Sequence, residues 1–304
     1  PGARVNSTFA GHYDLGVFLA MAAVILSGII FALKFSFKIW VVLLGLVSVL
    51  VLIMTAARVS FVAAIIGIAF SLILSKKRKF IILIALGLVL VSLYPSQLRD
   101  RLISTVKVNL LNMGQRYEGQ TDDQKIRSRL NIPTLAIKTS SESAQTSTFA
   151  SPSGQTASDI TPGEPLDTTE LGVYRSFAIR LNLEWPRAIT AFYKNPLLGT
   201  GYSSLGIATD NDFLRFLGEV GLLGTFAFGL VLIEASKRIW IQFRSQDKLV
   251  KYFSIVVFSM IIAFLVNGLF IDVFEASKVA SLFWMILGLN LAALSFKESY
   301  VKNL

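Results

Sequence analysis

Apolar residues run along this chain in blocks of membrane-crossing length, separated by short polar or basic punctuation. A helix needs roughly 20 apolar residues to cross a hydrocarbon core about 30 Å thick. Seven segments approach that length: Leu15–Leu33, Ile39–Ala57, Val59–Leu74, Phe80–Tyr94, Phe213–Ala235, Tyr252–Ile271 and Val279–Phe296. Arg58 is the only charge between Lys38 and Lys76. That run is too long for one crossing and right for two, so it predicts a helical hairpin with Arg58 near its tip. The third and fourth segments are short. Snorkelling by Lys76, Lys77, Arg78 and Lys79 makes up the difference, and a re-entrant pair is the alternative. The fold class expected is an all-α polytopic membrane protein with about seven transmembrane helices and one large loop.

The spacing divides the chain into three regions: four spans in 1–94, a polar segment in 95–211, and three spans in 212–304. Within the polar segment, 96–138 is mixed and charged. Residues 139–170 are rich in Ser, Thr, Pro and Gly and nearly empty of large apolar side chains. They bury too little surface to offset ordering entropy, and read as a flexible insertion, with a mobile lid as the alternative. In 174–195, Trp185, Ala188, Ile189 and Phe192 fall on one helical face. This predicts an interfacial amphipathic helix with Trp185 at headgroup level. Pro196, Gly199 and Gly201 then force a turn.

Composition agrees: 304 residues, 54% hydrophobic, with a mean hydropathy of +0.63. The net charge of +10 would fit nucleic acid, but the basic residues cluster beside span ends. They are Lys34 and Lys38, Lys76 to Lys79, Lys237 to Lys251, and Lys297 with Lys302. Seven spans put all four clusters on one side, cytoplasmic by the positive-inside rule. The 95–211 segment then lies outside, its twelve basic and eleven acidic residues nearly balanced, as in a translocated loop. The expected location is the cytoplasmic (inner) membrane, with membrane lipids as partners and no nucleic acid. There is no cysteine and one histidine, so neither a thiolate nor a multi-histidine metal site is available. No Gly-rich phosphate loop, HExxH or GxSxG occurs. No metal and no cofactor are expected. The chain opens on polar residues before a span, and reads as the C-terminal part of a longer protein or as a trimmed chain.

Charges at a membrane boundary are costly, which makes them functional candidates. Arg58 leads, followed by Arg180 and Arg4; guanidinium forks match anionic oxygens such as those of phosphate. The alternatives are a snorkelling boundary arginine or a structural ion pair. His12 has the natural pKa for proton transfer, or else caps the first helix. Asp210 is a poor base unless burial raises its pKa. It either accepts hydrogen bonds from hydroxyl groups or caps the fifth span. Glu219, a turn and a half into that span, pairs with an arginine across the site or faces water. Gly221 and Gly224 have the spacing of close helix packing.

Four segments, in order, resemble the O-antigen ligase and polymerase superfamily. They are Arg4-Val-Asn-Ser-Thr-Phe-Ala-Gly-His12-Tyr-Asp14; Thr55-Ala-Ala-Arg58; Arg180 and Trp185 followed by Asn195-Pro-Leu-Leu-Gly199-Thr-Gly201; and Asp210-Asn-Asp-Phe-Leu with Glu219-Val-Gly-Leu-Leu-Gly224. The resemblance covers roughly residues 4 to 235. It implies a GT-C-like glycosyltransferase working on the extracytoplasmic face from an undecaprenyl-diphosphate-linked glycan donor. The acceptor would be a glycan, a lipid or a protein. It also implies catalytic roles for Arg58, Arg180, Asp210 and His12, and substrate binding by Arg4, Trp185, Asn211 and Glu219. Ligases of the family carry histidine where this chain has Asp210, which favours a polymerase or a divergent member. A transporter or flippase for a lipid-linked anion, and a scaffold presenting the Ser/Thr-rich segment, are the competing readings.

Overall fold

The computed structural model describes residues 7–9, 11–82, 87, 98–100, 102–103, 176–177, 179–206 and 208–302. Among these there is no strand. The helices are α1 (His12–Ile29), α2 (Phe35–Thr55), α3 (Arg58–Leu74), α4 (Trp185–Lys194), α5 (Asp212–Gln242), α6 (Lys248–Asn267) and α7 (Ser277–Lys302). A π-helical turn, Arg180–Glu184, leads into α4. Four helices (α1, α2, α5 and α6) are long and apolar enough to cross a membrane. Helix α3 and the 277–293 part of α7 are apolar but shorter. The first, second, third, fifth, sixth and seventh predicted spans each overlap a helix. Most of the fourth, Phe80–Tyr94, lies outside the described residues, as do Arg4 and the 139–170 insertion.

The hairpin forms where the single-charge run predicts it. Helix α2 ends at Ala56, whose left-handed φ of 54° reverses the chain. The Thr55 hydroxyl donates to Leu52 O and accepts from Ala57 N–H, closing the turn. Arg58 then opens α3 at the tip. Helix α1 is central, packed on α2, α3 and α6. Its Val17, Met21 and Val24 join Val257, Met260 and Phe264 of α6 in the largest apolar cluster. Phe264 stacks on Phe283 of α7, with ring centroids 4.2 Å apart. Phe274 stands edge-on to both. Burying such rings stabilises a core by area and by ring geometry. The outer flank of α2 is apolar and exposed, Trp40 at 65% and Leu46 at 66%. That flank suits lipid contact.

Helix α5 differs from the continuous span expected. It is broken at Gly221, with φ 64° and ψ −170°. The 196–201 loop docks into the break. Thr200 and Gly201 donate backbone N–H to Gly218 O and Glu219 O, while Leu222 and Leu223 donate to Pro196 O and Leu197 O. Gly221 is therefore a helix break rather than a helix-packing glycine. Its positive φ and the closeness of the loop backbone both require the missing Cβ. Gly199 (φ 72°) faces it in the same way.

A Cβ on Gly199 would lie 2.3 Å from Glu219 O, and one on Gly221 2.5 Å from Leu197 O. Gly199→Ala or Gly221→Ala should lower stability by about 2–4 kcal/mol. Thermal unfolding of the detergent-solubilised protein reads this. Gly229→Ala, where nothing lies within 4 Å, is the control. Equal midpoints for all three variants would refute the docked loop.

Candidate functional site

The starts of α1, α3, α5 and α7 and the end of α6 gather at one end of the bundle. Gly16 of α1 lies against Ala57 and Ser60, which brings His12 and Arg58 into one quarter. Ser60 Oγ donates to Asn267 Oδ1 at 2.8 Å, tying α3 to the end of α6. The next residue, Gly268, accepts from Asp212 N–H at the start of α5. Lys278 of α7 donates to Thr8 O and lies over the Phe9 ring, 5.9 Å from its centroid. Leu98, in the polar segment, packs with Leu15, Leu52 and Phe61 at this same end.

Two carboxylates lock the loops here reciprocally. Asp272, in the α6–α7 loop, accepts from Thr209 N–H and Asn211 N–H at 2.8 and 3.0 Å. Asp212 accepts in return from Val273 N–H and Phe274 N–H. Arg215, one turn into α5, donates to Asp272 at 3.0 Å and lies 3.3 and 3.4 Å from Glu219 and Glu275. Glu219 also accepts from Ser203 N–H. Glu275 accepts from the Tyr202 hydroxyl.

A second group faces this network. Arg180 is buried on the π-helical turn and donates to Asp210 Oδ2 at 2.7 Å. Asp210 has a left-handed φ of 49°, which aspartate tolerates better than most residues. Glu184 lies at the other end of the same turn, and Trp185 follows it, 6.4 Å from the Phe270 ring. Arg180 Nε, Glu184 Oε2 and Trp185 Nε1 are buried and make no hydrogen bond among the described residues. Buried polar atoms are nearly always paired in folded proteins, so three together mark a functional candidate. π-Turns are likewise frequent at functional sites.

Burial pushes the Glu184 carboxyl up to about 7, with the neighbouring Asp210 and Asp272 charges adding and Arg180 opposing. Asp210 is also raised, by burial first and by Asp272, against the pull of Arg180. A raised carboxyl takes up a proton on folding. The contribution of Glu184 to stability therefore falls as pH rises from the unfolded value of 4.5 to about 7. Beside Glu184 is a pocket of only about 10 Å³, lined by Leu183, Arg187 and Thr209, about the room of one water.

Several sequence expectations change here. Asn211, not Asp210, caps α5: its Oδ1 accepts from Leu214 N–H and its Nδ2 donates to Leu269 O. The fold thus uses both ends of an amide expected to bind substrate. Glu219 pairs with Arg215, one turn earlier on its own helix, rather than with an arginine across the site or with water. The buried face of α4 is Ala188 and Ala191, packed on Gly218 of α5, while Ile189 is exposed. Trp185 therefore turns towards Phe270 and the site rather than only to an interface. His12 is buried beside Tyr13, their ring centroids 4.0 Å apart. Sequence reasoning missed Glu184, Asp212, Arg215, Asp272 and Glu275. Arg215 carried the signal used for Arg58, a charge inside an apolar span. Asp272 and Glu275 are the only charges between the sixth and seventh predicted spans besides Lys278.

Comparison with protein-family models, curated proteins and solved structures gave no match. Among the described residues no group of His, Cys, Asp and Glu is arranged to hold a metal ion.

The Arg215–Asp272 pair joins α5 to the α6–α7 loop. A double-mutant cycle of Arg215→Gln and Asp272→Asn, read by unfolding, should give a coupling of about 1–3 kcal/mol. Strictly additive losses would mean the two side chains do not meet.

Proposed function

We propose that the protein is a membrane glycosyltransferase of about seven spans and GT-C-like architecture. In this reading it polymerises glycan from an undecaprenyl-diphosphate donor on the extracytoplasmic face. Ligase-type transfer to a lipid or protein acceptor is the second form of the same chemistry. The observation that carries the reading is the Arg180–Asp210–Glu184 group with the neighbouring Trp185, where Arg180 Nε, Glu184 Oε2 and Trp185 Nε1 are buried without a hydrogen-bond partner among the described residues. It sits at the bundle end away from the lysine-rich turns. The ordered motifs from Arg4 to Gly224 support it as a resemblance.

The reaction needs an anion stabilised and a proton removed. The acceptor hydroxyl oxygen attacks the anomeric carbon. The bond from that carbon to the diphosphate oxygen breaks, and its electron pair leaves with the diphosphate. Arg180, with Arg58 at the hairpin tip, receives that charge; preorganised donors of this kind are a large catalytic term. The hydroxyl proton passes to Glu184, whose pKa of about 7 suits a base at neutral pH. Asp210 orients Arg180 and accepts a hydrogen bond from the acceptor sugar. His12, buried in the quarter of the hairpin tip, is the second candidate to take that proton.

The buried amides bear on the transport alternative. Asn267 bonds Ser60 and Ala263 at one end of the bundle. Asn290 bonds Ser254 beside Gln242. Between them the core is Val24, Val257, Met260, Ile261 and Phe264. Such an apolar interior favours an enzyme working at one face over a carrier for an anion.

The test is a reconstituted assay with a lipid-diphosphate glycan donor. Arg180→Ala should lower kcat about 10²–10³-fold and Glu184→Gln about 10²-fold. Wild-type kcat/KM should rise with pH to a plateau above about 7, and Glu184→Gln should lose that limb. Longer lipid-linked glycans identify polymerisation; a new acceptor identifies ligation. Full activity in both variants, with the proteins inserted and folded, removes this site from the chemistry.

A further inference from the structure

The opposite end of the bundle holds a second feature. A groove of about 410 Å³ is lined by Phe31, Lys38, Lys77, Lys248, Lys251 and Tyr252, with Ser245 and Gln246 at its edge. The four lysines come from three places: the start of α2, the turn after α3, and the first turn of α6. None of them makes an ion pair among the described residues. Lys38 and Lys251 are half-buried. The nearby Asp247 is turned to its own helix, accepting from Leu249 N–H. Lysines drawn together without an ion pair repel one another, and an anion relieves that cost.

The floor of the groove is aromatic. The Phe31 ring lies 5.7 Å from that of Tyr252 and 5.6 Å from that of Phe80, and Lys77 Nζ stands 5.7 Å from its centroid. On the α2 side the groove continues onto bare apolar surface, with Phe35 at 90% exposure and Trp40 at 65%. A ligand matching both parts carries a phosphate and an apolar chain. A soluble anion would use only the lysines. Basic pockets between helix ends at a membrane boundary suit anionic lipid headgroups.

We infer that this groove is a binding site for the phosphate headgroup of an anionic phospholipid, with the acyl chains lying along α2. The site is independent of the glycosyl-transfer reading and is tested without any donor.

The experiment measures binding of phosphatidylglycerol to the detergent-purified protein, by native mass spectrometry and by the shift in thermal midpoint. Phosphatidylcholine and inorganic phosphate are the comparison probes. Phosphatidylglycerol should bind saturably, and well ahead of both. Lys38→Gln with Lys251→Gln should weaken it about tenfold or more, at roughly a factor of several per lysine. Lys77→Gln, on an exposed turn, is the milder variant, expected to weaken binding severalfold. Lys34→Gln with Lys237→Gln removes the same charge outside the groove and should leave binding unchanged. Equal weakening by that control pair, or no weakening by either groove variant, overturns the site in favour of diffuse surface charge. Inorganic phosphate matching the lipid overturns the lipid assignment.

Discussion

The break in α5 is the constraint on which the arrangement depends. A helix interrupted in apolar surroundings exposes backbone groups that cost several kcal/mol each if left unpaired. Here the partners come from one short loop, 196–201, which fills the gap with backbone hydrogen bonds on both sides of Gly221. The loop could not supply them without Gly199, and α5 could not accept it without Gly221. Because the loop continues from α4, the same bonds fix α4 and the π-helical turn against the first part of α5. The position of Arg180 relative to Arg215 is thus a consequence of backbone hydrogen bonding, before any side-chain pairing.

Charge then refines what the backbone sets. Six carboxylates (Glu184, Asp210, Asp212, Glu219, Asp272 and Glu275) surround Arg180 and Arg215. Most are committed. Asp212 and Asp272 hold each other's loops through backbone N–H groups, and Glu219 holds Ser203. Glu184 is different, since among the described residues no donor reaches its buried Oε2. Low solvation moves a carboxyl towards its neutral form, and no hydrogen bond at that oxygen opposes it.

Hydrophobic periodicity made the helices legible, because a span is long and its signal accumulates over many residues. The Ile39–Leu74 run yields a hairpin with Arg58 at the tip, as its single charge implies. The Pro196–Gly201 turn was also legible from its residues. The break in α5 was not. Gly221 and Gly224 have the spacing of a packing motif, and only the docked loop shows why one of them needs φ of 64°. Half of the site was hidden for a related reason. Asp272 and Glu275 lie in a short loop 60 residues from Asp212 and Arg215 in sequence, and no local pattern announces pairing across that distance. Asp210 and Asn211 are adjacent and both good caps by type. Which one caps is decided by Arg180, which takes Asp210 away.

The pairing of Arg180 bears on whether it can serve an anion at all. A guanidinium has five N–H donors in a planar fork. Arg180 gives Nη2 to Asp210, and among the described residues its other hydrogen bonds are long contacts of 3.4 and 3.5 Å to Ser176 O and Phe270 O. Its Nε edge is buried and has no hydrogen-bond partner among the described residues. In the proposed reaction, a phosphate oxygen that reached this edge would add to the fork without displacing Asp210. Asp210 meanwhile keeps the planar group oriented, which lowers the reorganisation that charge stabilisation requires. In the proposed reaction the carboxylate would also limit ground-state binding by partly neutralising the arginine. What would survive is a preference for the more highly charged leaving group over the bound donor, and such a difference in affinity is what accelerates a reaction.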